Sequence, residues 1–423
     1  MHLLKWLYPG MHFKRWMLVF GAGVMMVSLG LALVFNYKYL DAIEEAIFRA
    51  VYLWRGSFDY VITTIVGLVI VVLGLALMLF ATRYVIRSVI SVLLPDSSEK
   101  LVDIIYEKRR LDKGPQVTVM GGGHGLSVLL RGIKQATSNV TAVVTVADDG
   151  GSSGRLRAEL GGLPPGDLRM ALAALCGDDH NGRRWATVLQ QRYRSDGPLN
   201  GHAIGNLLIE GVWQTIGDPV AGLDMVADLV DARGRVLPAS TVPLDIEADV
   251  LGLDLEFPTE VQVVHGQHEV AVTRGLVQSI RLLPDDPPAC PQALAAIAAA
   301  DYVVLGPGSW FTSVLPHLMI PGLARAIIES GAHKVLTLNV ASGHETAGFS
   351  PTRHMELIAE HAPGLRLDTV VADETFAGED ETLEAACARL GARLVIGDVA
   401  MHDNTARHDR LRLASVYSEL MLG

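Results

Sequence analysis

Val117-Thr-Val-Met-Gly-Gly-Gly-His-Gly-Leu126, followed by Thr145-Val-Ala-Asp-Asp-Gly-Gly-Ser-Ser-Gly-Arg155, decides the fold. An apolar run ends in a turn built from Gly121, Gly122, Gly123, His124 and Gly125, after which Leu126, Leu129, Leu130 and Ile133 recur at helical spacing. Strand, turn and helix in that order aim backbone N–H groups and a positive helix end at one point, which suits a phosphate. A second apolar run, 141–147, ends in Asp148 and Asp149 and a loop carrying Gly151, Ser152, Ser153 and Arg155. Two such loops at the carboxyl ends of neighbouring strands are where open α/β sheets bind nucleotides. The turn is no dinucleotide fingerprint, because Leu126 stands where G-x-G-x-x-G needs its last glycine, and no Lys-Ser/Thr follows to make a Walker A loop. The two aspartates, about 25 residues after the glycines, are placed for a ribose hydroxyl or a metal ion. The plainer alternative is a solvated loop start.

Further polar-tipped loops punctuate the chain. Leu163-Pro-Pro-Gly-Asp-Leu-Arg169 offers Asp167 as a helix cap and Arg169 to a phosphate. Asn200-Gly-His-Ala-Ile-Gly-Asn-Leu207 sets His202 and Asn206 on one helical face, able to read a base or sugar, or to cap and pack a helix start. Gly306-Pro-Gly-Ser-Trp310 repeats the strand–turn–helix logic, so Gly306, Gly308 and Ser309 are expected at a second phosphate. Asn339-Val-Ala-Ser-Gly-His-Glu-Thr346 offers Asn339, Glu345 and Thr346 at the same sheet edge. Short apolar runs at 302–305, 335–340, 369–372 and 393–396 alternate with helical stretches such as 355–361 and 381–390, which predicts an α/β fold with a Rossmann-like, doubly wound, mainly parallel sheet. The segment 236–280, with short alternating runs, predicts a small antiparallel β insertion.

The 423-residue chain has a formal net charge of −11 and no basic stripe, which argues against a nucleic-acid partner. Cys176, Cys290 and Cys387 lie far apart with no C-x-x-C spacing, fitting a reducing compartment rather than zinc or disulfides. Residues 17–35 and 61–82 carry no charge and are each long enough to cross a bilayer as a helix. The chain therefore divides into a transmembrane hairpin over 1–95, a linker helix over 96–115 capped near Asp96, and a globular domain over 116–423. Two spans put both termini on one side. Basic residues flank the spans but also occupy the connecting loop, so the free cysteines and the nucleotide-type loops favour a cytoplasmic domain on the inner membrane.

Taken together, Gly121-Gly-Gly-His-Gly-Leu126, Ala147-Asp-Asp-Gly-Gly-Ser-Ser-Gly-Arg-Leu-Arg157, Pro164-Pro-Gly-Asp-Leu-Arg169, Gly201-His-Ala-Ile-Gly-Asn-Leu207 and Gly306-Pro-Gly-Ser309 resemble the YvcK/CofD superfamily, and its YvcK-like branch of gluconeogenesis factors in particular. The resemblance spans 116–373. It implies a homodimer that binds UDP-sugars such as UDP-N-acetylglucosamine and affects cell shape and growth on gluconeogenic carbon sources, acting with a partner in envelope synthesis. No cofactor is then required, and no catalytic residue is expected. The CofD branch implies instead a magnesium-dependent 2-phospholactate transferase, for which Asp149 would be the metal ligand. His124, Met170 and Gln267 depart from the family pattern, as does a shortened 339–346 loop with His344, and the two apolar spans are an addition to it.

Overall fold

The two uncharged runs fold as long helices, Lys14–Phe35 and Tyr60–Leu93, in a computed structural model of the chain. It describes residues 14–35, 60–93 and 109–422 except 255, 256, 258, 344, 379 and 404, together with 45, 49, 52, 53 and 106. Residues 1–106 and 107–423 form separate compact units. In the first, the helices meet through glycines: a Cβ on Gly30 would stand 2.7 Å from the Gly67 carbonyl, and one on Gly74 2.9 Å from that of Gly23. Each pair is two helical turns apart, so both glycines of a helix lie on its facing side. Trp16 stacks on Tyr84 with ring centroids 4.2 Å apart, while Leu18, Met25 and Leu79 point outward. Both helices are long and apolar enough to span a membrane. Most of the linker-helix segment at 96–115, Asp96 included, lies outside the described residues.

The second unit is built on seven parallel strands: β1 Val117–Gly121, β2 Val140–Val144, β3 Arg235–Pro238, β7 Tyr302–Leu305, β8 His333–Thr337, β9 Thr369–Asp373 and β10 Arg393–Gly397. Their order is β10-β9-β8-β7-β1-β2-β3. β1 and β9 are buried along their whole lengths, as strands covered on both faces are. The chain leaves β1 toward β2 but leaves β7 toward β8, so the strand order reverses between β1 and β7. That reversal opens a crevice at the carboxyl ends.

A smaller antiparallel sheet, in the order β5-β4-β6, comprises β4 Asp245–Leu251, β5 Val261–His265 and β6 Leu276–Leu283, with a short helix Gln267–Val272. The insertion thus starts later than the expected 236. Val236, Leu237 and Pro238 pair in parallel with residues 142–144 and are buried; exposed–buried alternation begins only at Asp245.

Candidate functional site

The turn after β1 needs glycine for different reasons at successive positions. A Cβ on Gly122 would crowd Asp167 Oδ2 and Thr145, and one on Gly125 would overlap the Pro307 carbonyl. The turns after β1 and β7 are therefore in direct contact at the strand reversal. Gly123 differs: its φ is +60° and a Cβ there would meet only Asp167 Oδ1, 4.0 Å away. The helix Gly123–Ile133 starts here without a side-chain cap. His124 is exposed at its first turn, its proton affinity lowered by partial burial and then by Arg407, Arg169 and Arg131.

Asp148 and Asp167 approach this turn from two elements. Asp148 Oδ1 accepts the Gly150 amide at 3.0 Å, and burial raises its pKa against that bond and one from Ser153. Burial and the Asp148 charge push the Asp167 carboxyl up to about 7, opposed by the Gly123 amide. Asp149 points elsewhere. Its Oδ1 accepts the His268 amide at 2.8 Å, tying the loop after β2 to the insertion's short helix, and Gly266 has no room for a Cβ beside Oδ2. Among the described residues no three His, Cys, Asp or Glu side chains assemble to hold a metal ion. With one oxygen engaged, Asp149 fits magnesium only as a single ligand to an ion brought in by the ligand's own phosphates.

Ser152 sits at the start of helix Gly151–Leu160 and is buried. Its Oγ accepts the Ala203 amide at 3.2 Å and Asn206 Nδ2 at 3.0 Å, and lies 3.1 Å from His202 Nδ1. With both lone pairs occupied, the hydroxyl proton goes to His202 Nδ1, which leaves the imidazole proton on Nε2. Burial and the Arg155 charge lower the pKa of His202, keeping it neutral. Asn206 Oδ1 accepts from Arg169 Nε at 2.8 Å, and Arg169 also bonds Gln190 Oε1. His202, Asn206 and Arg169 therefore form the wall behind the loop after β2. Asn206 and Arg169, expected at a base and a phosphate, are almost fully buried and bonded to each other here. Ser153 Oγ likewise accepts the Gly166 amide at 2.9 Å.

The loop after β7 is held by residues of the loop after β8. The Gly308 amide donates to Asn339 Oδ1 at 3.1 Å, while Asn339 Nδ2 donates back to the Gly308 carbonyl at 2.9 Å. The Phe311 amide donates to Glu345 Oε1 at 3.3 Å. Thr346 Oγ1 accepts the Gly343 amide at 3.0 Å. Asn339, Glu345 and Thr346 thus hold loops in place, and the amides expected at a phosphate are engaged internally, Gly306 with the Met120 carbonyl at 3.0 Å and Gly308 with Asn339 from the loop after β8. Glu345 is 5% exposed, and burial pushes its carboxyl up to about 7. Ser309 is exposed and caps nothing with its side chain. His344 lies outside the described residues.

The open space lies on the β2 side. A cleft of about 580 Å³ is lined by Asp149, Gly151, Ser152, Gly154, Arg155, Ala158, Arg192 and Gly201. Arg155 donates to the Pro198 and Asn200 carbonyls at 3.2 and 2.8 Å, and Arg192 to the Gly201 carbonyl at 2.7 Å. The sequence reading missed Arg192 and Arg407. Arg192 lies in a polar run, 190–194, whose alternating basic residues were the available signal; nothing local marks Arg407.

A family model described as "2-phospho-L-lactate transferase CofD" matches residues 117–411. A Mycobacterium tuberculosis protein named "Putative gluconeogenesis factor" is 50% identical over 304 residues, 71% of this chain and 88% of that protein. A Nostoc protein of the same name is 35% identical and covers 97% of this chain and 91% of its own length, so that match takes in the N-terminal segment too. Among solved structures, one of a upf0052 family protein from Bacillus halodurans has a TM-score of 0.63 and 35% identity, covering 74% of this chain and 99% of that one.

Proposed function

This chain belongs to the YvcK/CofD family, and we propose that within it the chain is a membrane-anchored nucleotide-sugar-binding regulator of the gluconeogenesis-factor kind, with a UDP-sugar of the UDP-N-acetylglucosamine type as its ligand. The observation that carries this reading is the open cleft at the carboxyl end of β2, lined by two arginines and formed by an uncapped helix start. Ser152 and His202 have the pairing of a nucleophile and base, but Ser152 is buried and its Oγ also holds the Ala203 amide and Asn206 Nδ2, bonds that tie it into the wall of the cleft and lower its basicity as a nucleophile. In this reading no cofactor is required, and any magnesium arrives with the ligand's phosphates.

The two apolar helices anchor the protein in the inner membrane with both termini cytoplasmic, consistent with three buried free cysteines. A homodimer and an envelope-synthesis partner complete the proposal. The description of the matched family favours a second reading, transfer of a phosphoryl-linked group. Purifying the full chain in detergent, identifying the small molecule that accompanies it by mass spectrometry, and titrating the stripped protein with UDP-N-acetylglucosamine tests the first reading. A co-purifying uridine diphosphate sugar with saturable rebinding supports it; no binding of any UDP-sugar overturns it. Reporters fused to the C-terminus test topology, where activity from an exported reporter alone would contradict a cytoplasmic domain.

A further inference from the structure

The segment 191–204 doubles back on itself. The Tyr193 amide donates to the His202 carbonyl at 2.9 Å, the Ile204 amide to the Gln191 carbonyl at 2.8 Å, and Arg192 bridges to Ala203. Arg155, from the helix Gly151–Leu160, grips the tip of this loop through the carbonyls of Pro198 and Asn200. Arg192 is held at its base by Gly201. Both guanidiniums therefore line one cleft, fixed by neutral carbonyls of the same loop, which orient a cation without cancelling its charge. Neither forms an ion pair with a carboxylate among the described residues, unlike Arg157, Arg235, Arg281, Arg353 and Arg412. A guanidinium has five N–H donors, so Arg155 and Arg192 each keep several for a ligand.

Two like charges brought together in this way repel each other unless an anion joins them. Their field is felt nearby: Arg155 follows burial as a cause of the lowered His202 pKa, and Arg192 follows burial as a cause of the lowered Arg169 pKa. The single carboxylate on the cleft, Asp149, gives one oxygen to the His268 amide. The start of the helix Gly151–Leu160 opens into the same cleft with no side-chain cap, and a Cβ on Gly151 would meet nothing. Its amides add to the two guanidiniums.

We propose that the cleft between Arg155 and Arg192 is an anion subsite that grips a diphosphate, and that Arg192 is a binding residue contributed by the 191–204 loop. Resting on the UDP-sugar reading, this puts the ligand's diphosphate on the β2 side of the crevice, away from the loop after β7, whose Gly306, Gly308 and Phe311 amides are bonded internally. Bidentate guanidinium bonds to phosphate oxygens have the geometry and strength required.

Inorganic pyrophosphate, titrated calorimetrically into the full chain in detergent, probes the subsite without the nucleoside. Saturable binding is expected, about tenfold weaker in Arg192→Gln and in Arg155→Gln, with Arg192→Lys in between because a point charge replaces the fork. Thermal melts check folding; Arg192→Gln is the more secure variant, since it releases one carbonyl where Arg155→Gln releases two. No pyrophosphate binding by the wild type, or unchanged affinity in folded Arg192→Gln, overturns the subsite. Parallel titrations with UDP-N-acetylglucosamine separate it from the broader reading. Pyrophosphate binding that depends on Arg192, without UDP-sugar binding, keeps the subsite and rejects the nucleotide-sugar ligand. UDP-sugar binding indifferent to both arginines does the reverse.

Discussion

The loops after β2 and β7 look alike in sequence, each a glycine- and serine-rich turn between a buried strand and a helical segment, yet their surroundings give them opposite characters. After β7 the turn is closed from within: Asn339 takes the Gly308 amide and Glu345 the Phe311 amide. After β2 the side chains turn inward, Ser152 toward His202 and Asn206 and Ser153 toward Gly166, leaving the uncapped helix start on an open cleft lined by two guanidiniums that make no ion pair among the described residues. A glycine turn supplies amides; the neighbouring elements decide whether those amides remain for a ligand.

The contrast can be broken most forcefully at the contact between the turns after β1 and β7. Gly125→Val would drive a side chain into the Pro307 backbone, and a loss of about 4 kcal/mol or failure to fold is expected. A near-normal thermal midpoint would show that the two turns are not in contact.

Glu345 tests the closed loop. Its folded-state pKa of about 7 lies above the ordinary 4.5, so its contribution to stability is fully present below about 4.5 and is lost as pH rises through 7. Glu345→Gln, a neutral isostere that keeps Oε1 for the Phe311 amide, is expected to match the wild type at pH 4.5 and to exceed it by up to about 3 kcal/mol at pH 8.5. Denaturant melts at the two pH values measure the gap, and no pH dependence of that gap would contradict a buried, unpaired carboxylate.

Ser152→Ala probes the inward network after β2. Leaving the Ala203 amide and Asn206 without their acceptor is expected to cost about 1–2 kcal/mol. Abolished turnover with unchanged stability would instead mark Ser152 as a nucleophile. The smallest effect is expected from Ser309→Ala, within about 0.5 kcal/mol of wild-type stability and with UDP-sugar affinity unchanged, because the side chain is exposed and caps nothing. A clear loss of affinity there would return the phosphate to the loop after β7.

Local pattern made much of the architecture readable. The apolar runs that became β7, β8 and β9 are short, buried and bounded by turns, β10 is a short, half-exposed edge strand, and the two uncharged stretches are long helices. β3 was misassigned because four residues are too few to show a period, and only their pairing with β2 reveals the sheet they join. The contact face of the apolar helices was visible in Gly23, Gly30, Gly67 and Gly74, whose spacing was overlooked. Of the candidate site, the sequence located the loops but not the direction of their side chains. Ser152 finds Asn206 across 54 residues, and Gly308 finds Asn339 across 31. Which amides stay free depends on those distant partners. Arg192 was hidden for the same reason: its role comes from lining one cleft with Arg155, 37 residues away in sequence.

The central claim, that this family member binds its nucleotide sugar without turning it over, is tested most directly at Asp149. The full chain is incubated with UDP-N-acetylglucosamine, with and without magnesium, and both bound ligand and released product are measured for the wild type and Asp149→Asn. Asparagine keeps Oδ1 as acceptor for the His268 amide and removes only the charge. The account predicts saturable binding by the wild type and the variant, weaker in Asp149→Asn only when magnesium accompanies the ligand's phosphates, and product from neither. Magnesium-dependent product formed by the wild type and abolished in Asp149→Asn at saturating ligand would contradict it, making the protein a transferase.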